Sequence, residues 1–191
     1  MTKTTYIITD PCYIIEDSVW SDICGQCESD DFYNGKFNKL VADHLTKITG
    51  QQAYASETGF GDWSNQLFAS IPELLKNTGN FCADSGMVCV AKYDAALLTK
   101  YAPSTISNIA AIFEVEGELK VNIDTSNNDW TQITMSDSAG HTFSTLPADM
   151  MFEEDYDEDD ESGYFDDHAN WWWRRMNVER YQLNMYLLYY V

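Results

Sequence analysis

The chain has 191 residues, of which 45% are hydrophobic and 14% aromatic, and this is enough apolar material for one folded domain with a buried core. Its 31 acids and 11 bases give a formal net charge of −20. That charge argues against direct binding to nucleic acids and to anionic membranes, because both kinds of binding depend on Lys and Arg beside phosphate groups. Basic proteins and divalent cations are the expected counterparts.

The N-terminal region predicts two short strands and a helix. Thr4–Ile8 is predicted as a strand that the pair Asp10–Pro11 ends, and Cys12–Ile15 is predicted as a second strand. A helix is expected next, because apolar residues recur at spacings of three and four. The residues on this apolar face are Trp20, Ile23, Cys24 and Cys27.

The strongest helical pattern covers Lys36–Thr49, and Gly50 can supply a left-handed cap after its last turn. His44 falls on the apolar face of this helix and is interpreted as a core histidine. The stripe consists of Phe37, Leu40, Val41, His44, Leu45 and Ile48.

The middle of the chain alternates between β-like and turn-like segments. Met87–Ala91 predicts a buried strand after a tight turn, and β structure is also expected from Gln51 onward. Pro72–Asn77 and Asp94–Tyr101 predict short helical turns, the second ending before Pro103. The pattern of residues 63–70 is ambiguous.

A β-hairpin is predicted from Ile109–Glu116 and Leu119–Ile123, which alternate apolar and polar residues on either side of Gly117. Thr131–Met135 and Thr142–Thr145 predict two further strands. Hairpin-like connections favour antiparallel pairing, so the expected fold class is α+β: a mostly antiparallel sheet with two or three packed helices.

The last forty residues have a composition of their own. Residues 153–167 contain ten acids and no base, and residues 171–191 are rich in Trp, Tyr and Leu. Because an apolar C-terminus after an acidic stretch should pack back on the body, we predict three parts. They are an α+β core domain at 1–150, an acidic loop at 151–170 and a docking aromatic segment at 171–191.

Five cysteines occur, an odd number, and no signal peptide precedes them. We therefore expect reduced thiols and a cytoplasmic location, which means the host cytoplasm if the protein is phage-encoded. Cys24 and Cys27 form a CxxC pair that, with Cys82 and Cys89, offers a four-sulfur zinc site as one interpretation. Small buried hydrophobes are the competing interpretation.

Three short motifs stand at Asp10–Tyr13 (DPCY), Thr58–Asp62 (TGFGD) and Ala83–Gly86 (ADSG). Together they resemble a group of uncharacterised phage and bacterial proteins that share a DPCY start, a TGxGD turn and a later Asp-Ser/Ala-Gly before a strand. The resemblance covers roughly the first half of the chain. It implies a β-rich fold and a mobile-element origin, and it implies no particular chemistry.

Asp10, Asp62 and Asp84 each stand within two residues of Pro or Gly at a turn. Aspartate favours such positions because its carboxylate binds nearby backbone N–H groups, which accounts for all three without catalysis. A metal-dependent hydrolase that uses these three aspartates, together with Glu57, is the alternative. The sequence predicts no cofactor.

The acidic segment suggests a function. A flexible, solvated loop is its simplest interpretation. The competing hypothesis is a surface that imitates the phosphates of DNA or RNA and occupies the basic groove of a nucleic-acid-binding protein, as a phage counter-defence factor does. A calcium loop is rejected, since Asp160 stands where an EF-hand requires glycine. The residues assigned to charge recognition are Glu153, Glu154, Asp155, Asp157, Glu158, Asp159, Asp160 and Glu161.

Trp171–Arg175 adds three tryptophans and two arginines. Base stacking by this segment is disfavoured, because single-strand binders combine such aromatics with a basic groove that this chain lacks. Trp and Arg are frequent anchors in protein interfaces, so Trp172 and Arg174 are predicted to contact the partner protein. Homo-oligomerisation through the aromatic C-terminus, as in an assembly protein, is the remaining alternative.

Overall fold

The structure is a computed structural model, and all described residues lie in the first of the two units into which the chain divides, Met1–Phe152. The predicted acidic loop and the predicted aromatic segment lie outside the described residues, and both stay predictions. The described residues are 2–28, 31, 34–58, 63–126 and 131–147.

Within these ranges the chain forms nine strands and three α-helices. The strands are β1 (Lys3–Thr9), β2 (Tyr54–Glu57), β3 (Trp63–Ala69), β4 (Asn80–Ala83), β5 (Met87–Lys92), β6 (Ala110–Glu116), β7 (Lys120–Asp124), β8 (Gln132–Ser136) and β9 (Thr142–Pro147). The helices are α1 (Asp17–Gly25), α2 (Lys36–Thr49) and α3 (Pro103–Ile109), and short 3-10 turns cover Pro11–Tyr13, Pro72–Leu74 and Ala95–Leu98.

The strands form two sheets in which every pairing between named strands is antiparallel. Sheet A has the order β2-β5-β1-β6, and sheet B has the order β4-β3-β9-β8-β7. The predicted α+β class with antiparallel pairing is confirmed. The sequence pattern did not show that the strands are shared between two sheets.

Sheet A is buried on both of its faces. On β1, Tyr6 and Ile8 belong to the core cluster that fills the space between the sheets, where the rings of Phe113 and Phe143 lie 4.8 Å apart. Ile7, between them in sequence, belongs to a second cluster under α1 and α2. Burial on both faces explains why β5 is a continuous apolar run instead of an alternating one.

The two longer helices follow the prediction closely. α2 covers the predicted residues and buries Phe37, Val41 and Leu45, and Gly50 closes it in the left-handed region at φ 68°. α1 buries Ile23, and Trp20 packs edge-on against Phe37. Together they cover the outer face of sheet A.

The predicted strand at Cys12–Ile15 is wrong. A 3-10 turn begins there, because Oδ1 of Asp10 accepts the Cys12 N–H at 2.8 Å and caps the turn. This local bond competes with extended pairing. α3 was not predicted from the sequence, because Pro103 was interpreted only as the residue that ends the preceding turn. Proline is, however, favoured at the first position of a helix.

The predicted hairpin around Gly117 is also wrong. β6 pairs with β1 in sheet A, and β7 pairs with β8 in sheet B, so the chain crosses between the sheets at this glycine. Leu119 is buried in the core between them. Alternation identified both strands and their inward faces, but any antiparallel neighbour satisfies the same alternation.

Asp137 stabilises the segment in which the chain crosses between the two sheets. Its carboxylate accepts the N–H groups of Glu116, Ala139 and His141, each at 2.9 Å, and Oδ2 lies 2.9 Å from Nδ1 of His141. Burial acts to raise the pKa of this carboxyl, but the hydrogen bonds outweigh burial and hold the pKa below its ordinary value. The turn between β8 and β9 is thereby joined to the end of β6.

We expect Asp137→Asn to lower the free energy of unfolding by roughly 2 kcal/mol at neutral pH, since hydrogen bonds to a charged group are lost. A lowered folded-state pKa gives stability that is present at neutral pH and is lost as the pH falls through that value. Urea unfolding between about pH 6 and about pH 3 should therefore show the variant losing less stability than the wild type. Equal losses in both proteins contradict the assignment, and Asp22→Asn on the exposed side of α1 is the control.

Candidate functional site

Parts of all three sequence motifs meet at one place, which we call the motif junction: Asp10–Tyr13, Thr58 and Asp84–Gly86. The 3-10 turn after β1 lies against the tight turn between β4 and β5. Gly86 has φ 72°, a left-handed conformation that glycine adopts at little cost. Residues far apart in the sequence are brought together here by the β1–β5 pairing.

Asp10 is the centre of the motif junction and is fully buried. Its Oδ2 accepts the Ser85 N–H at 2.5 Å, and its Oδ1 accepts the Ser85 hydroxyl at 2.7 Å and the Cys12 N–H at 2.8 Å. Burial raises the pKa of this carboxyl, although hydrogen bonds from the backbone and side chains of Ser85 and Cys12 oppose the rise. Both carboxylate oxygens of Asp10 accept hydrogen bonds from within the fold. The geometry therefore assigns this carboxylate a structural role, in which it joins the turn after β1 to the turn between β4 and β5.

Tyr13 and Asp84 form a second contact beside the first. The Tyr13 hydroxyl donates to Oδ2 of Asp84, and the Tyr13 ring packs edge-on against Tyr101. Burial, followed by the hydrogen bond to Asp84, raises the pKa of the Tyr13 phenol, which stays protonated at neutral pH. This phenol is therefore a hydrogen-bond donor and not a base.

The third motif reaches the junction through Thr58. Its N–H donates to the Gly86 carbonyl at 2.9 Å, and its own carbonyl accepts the Thr131 N–H at 3.1 Å. The rest of this motif, including Asp62, lies outside the described residues. Parts of all three motifs thus meet at one place among the described residues.

The hydrolase alternative required Asp10, Asp62 and Asp84 to act together. The structure places Asp10 and Asp84 in the same junction, but the oxygens of Asp10 are occupied by backbone and hydroxyl donors. Across the described ranges no group of three or more His, Cys, Asp or Glu side chains is arranged to hold a metal ion. Asp62 lies outside these ranges, so the three-aspartate arrangement stays a prediction.

The four cysteines of the zinc interpretation lie on separate elements: Cys24 on α1, Cys27 just after it, Cys82 on β4 and Cys89 on β5. Cys89 is fully buried, and its thiol donates to the Thr9 carbonyl at 3.3 Å. Burial raises the pKa of the Cys24, Cys82 and Cys89 thiols. These contacts favour the interpretation as small buried hydrophobes.

Cys12 belongs to the junction itself. Burial and the neighbouring charge of Asp10 raise the pKa of its thiol, so it is protonated at neutral pH. A nucleophilic cysteine needs the opposite environment, in which nearby positive charge lowers the pKa. In this environment the thiolate of Cys12, which is the nucleophilic form, is disfavoured.

A second feature is a set of exposed acids on α1 and next to its two ends. Between Lys3 and Lys36 the chain has seven acids and no lysine or arginine. Four of them are exposed and form no ion pair with another described residue, and we call these four the α1 acidic face. The face consists of Glu16, Asp17, Asp22 and Glu28.

Sequence reasoning missed both features in part. Ser85 and Tyr13 were identified only as members of the motifs, although their side chains supply contacts that join the motifs. The absence of any base between Lys3 and Lys36 was a visible signal for the α1 acidic face. The residues predicted to bind a partner lie outside the described residues: Glu153, Glu154, Asp155, Asp157, Glu158, Asp159, Asp160, Glu161, Trp172 and Arg174.

None of the helices in the described part of the chain has the length and apolar character to cross a membrane. The resemblance of the three motifs to phage and bacterial proteins stays a prediction from the sequence. No protein-family model, curated protein or solved structure matches the chain.

Proposed function

We propose that the protein is an acidic binding protein that occupies the basic groove of a nucleic-acid-binding protein and thereby inhibits or sequesters it. The observation that carries the proposal is the α1 acidic face, whose exposed carboxylates have no cationic partner among the described residues. Negative charge is therefore not confined to residues 153–167. A folded body that also lacks compensating charge offers a second surface to a cationic partner.

Charge density supports the same proposal. Eight of the nine residues from Glu153 to Glu161 are acids. Even a fully extended chain spans at most about 3.6 Å per residue, so these charges are spaced by about 4 Å or less. B-DNA carries one charge per ~1.7 Å of helix axis, or one every ~3.4 Å along each strand, so the segment comes close to the charge density of one strand.

The partner class follows from the chemistry of the charges. Carboxylates at this density attract Lys and Arg clusters, which are typical of proteins that hold DNA or RNA. The likeness to phage proteins makes DNA- or RNA-binding defence proteins of a bacterial host the first partners to test. In this role the protein acts as a counter-defence factor.

A pull-down from bacterial lysate with the full chain as bait tests the proposal. We expect the captured proteins to be nucleic-acid-binding proteins that are retained at low salt, released at high salt and eluted by added DNA or RNA. A bait with the eight acids of residues 153–161 changed to Gln and Asn is the matched control and should lose these proteins. Captured proteins that bind both baits equally, or that DNA does not elute, contradict the proposal.

A further inference from the structure

β7 is an edge strand of sheet B among the described residues. Its residues pair with β8 on one side, and no other described strand pairs with its second side. The corresponding edge of β6 is covered, because Asn77 binds the Ile112 N–H and the Ala110 carbonyl. An uncovered edge presents unpaired N–H and C=O groups, to which another strand can add.

The hydrogen bonds of β8 show which backbone groups of β7 face outward. The Ile133 N–H points toward β9, where Oγ1 of Thr145 accepts it at 3.0 Å. Backbone groups alternate in direction along a strand, so Thr134 points the other way, toward its partner Asn122. The outward groups of β7 therefore belong to Val121 and Ile123.

The side chains of β7 are divided between two faces. Val121 and Ile123 are half-buried and pack against the core between the sheets. Lys120, Asn122 and Asp124 are exposed on the opposite face. Neither Lys120 nor Asp124 forms an ion pair with another described residue, although Oδ1 of Asp124 accepts the Ser126 N–H at 2.9 Å.

We propose that a second copy of this chain adds to β7, so that two β7 strands pair antiparallel about a two-fold axis through Asn122. The sequence Lys-Val-Asn-Ile-Asp is self-complementary in that register. Lys120 of each copy lies opposite Asp124 of the other, and the two Asn122 amides face each other. Val121 and Ile123 exchange the outward backbone hydrogen bonds, and the two sheets B become one continuous sheet.

The charges select this register from its neighbours. Outward groups must pair with outward groups, so the two-fold axis passes through Val121, Asn122 or Ile123. An axis through Val121 places Glu118 opposite Asp124, a like-charge pair, and an axis through Ile123 leaves Lys120 opposite Ser126. Only the axis through Asn122 gives two opposite-charge pairs, which stabilise directly facing strands.

The association must overcome the net charge of −20 on each copy. Repulsion between the copies is screened at about 0.15 M salt, where the Debye length is about 8 Å, whereas directly opposed side chains are closer than that. A five-residue strand is a small interface, so we expect a dimer that forms and dissociates with concentration.

Charge exchange at positions 120 and 124 tests the proposal. Lys120→Glu alone and Asp124→Lys alone each place like charges opposite each other, and we expect each to weaken the dimer by roughly tenfold or more. The double variant K120D/D124K restores opposite charges and should dimerise like the wild type. An equimolar mixture of K120E and D124K should form a heterodimer, because the two strands are then complementary to each other.

Sedimentation velocity over a concentration series, with native mass spectrometry of the mixture, measures these states. Lys47→Glu on α2 and Glu73→Lys in the 3-10 turn Pro72–Leu74, both at exposed positions, are the controls and should leave the dimer unchanged. Thermal melts establish that each variant is folded. A wild-type chain that stays monomeric, a dimer that neither single reversal weakens, or a mixture without heterodimer overturns the proposal, and the second result points to another interface.

Discussion

Replacing Asp10 with alanine should lower the free energy of unfolding by about 2 to 4 kcal/mol, the largest effect we expect from a single polar substitution in this chain. The change leaves the N–H groups of Cys12 and Ser85 without their acceptor in the motif junction, where Asp10 is fully buried. The midpoint of thermal unfolding should fall by roughly 5 to 15 °C. Circular dichroism melts and urea titrations measure both quantities.

Three further variants test whether the Asp10 carboxylate has this structural role. Asp10→Asn keeps the shape but places an amide N–H₂ against one of the donors, so it should also destabilise the fold. Ser85→Ala removes one hydroxyl donor and should cost about 1 kcal/mol, while the exposed Asp22→Asn is the control and should cost nothing measurable. If Asp10→Ala is as stable as the wild type, the structural role assigned to the DPCY and ADSG motifs is wrong.

Changing the eight acids of residues 153–161 to Gln and Asn should weaken binding to a captured partner by roughly a hundredfold or more. Each exposed ion pair contributes little, but eight closely spaced charges act on the same cationic groove. Isothermal titration calorimetry at physiological salt gives the dissociation constant. We expect the midpoint of thermal unfolding of residues 1–152 to stay unchanged, because we assign these charges no role in stabilising the fold.

Two further variants test whether this loss of binding depends on charge and on which acids carry it. A chain in which residues 153–167 are shuffled keeps every charge and should bind nearly as well as the wild type, because charge recognition tolerates sequence order. Reversing Glu16, Asp17, Asp22 and Glu28 to lysine tests the α1 acidic face separately, and we expect a smaller loss. Binding that survives neutralisation but not shuffling contradicts recognition by charge.

Much of the fold could be predicted from the sequence, because periodicity reports burial directly. α2 was predicted with its residues and its cap, since a stripe at helical spacing and a closing glycine act locally. The runs in β1 and β5 were recognised as strands because short apolar runs next to turn residues are typical of buried strands. Their places in sheet A were not predictable, since they depend on which distant strand completes the core.

The errors follow one physical pattern. β6 and β7 looked like a hairpin because both alternate around Gly117, yet each pairs with a strand that lies elsewhere in sequence. The turn at Pro11–Tyr13 was missed because Asp10 caps it through its side chain. Non-local pairing and capping by side chains both lie outside what periodicity records.

The candidate site divides in the same way. The three motifs were identified from the sequence, but their meeting at Asp10, Ser85 and Thr58 depends on the β1–β5 register. The proposed function rests on negative charge. The composition of the sequence shows this charge directly, and the fold adds the exposed carboxylates of the α1 acidic face. Hydrogen bonds at Asp10, Ser85 and Thr58 join parts of the motifs within the body, and recognition of a partner by the carboxylates stays a proposal.

Competition between the full chain and nucleic acid for one captured partner tests the central claim most directly. Fluorescently labelled DNA or RNA is bound to the partner, the chain is titrated in, and anisotropy is followed at several salt concentrations. We predict full displacement, mutually exclusive binding and an inhibition constant that weakens steeply as salt rises. A ternary complex that retains the nucleic acid, or an inhibition constant indifferent to salt, contradicts the account.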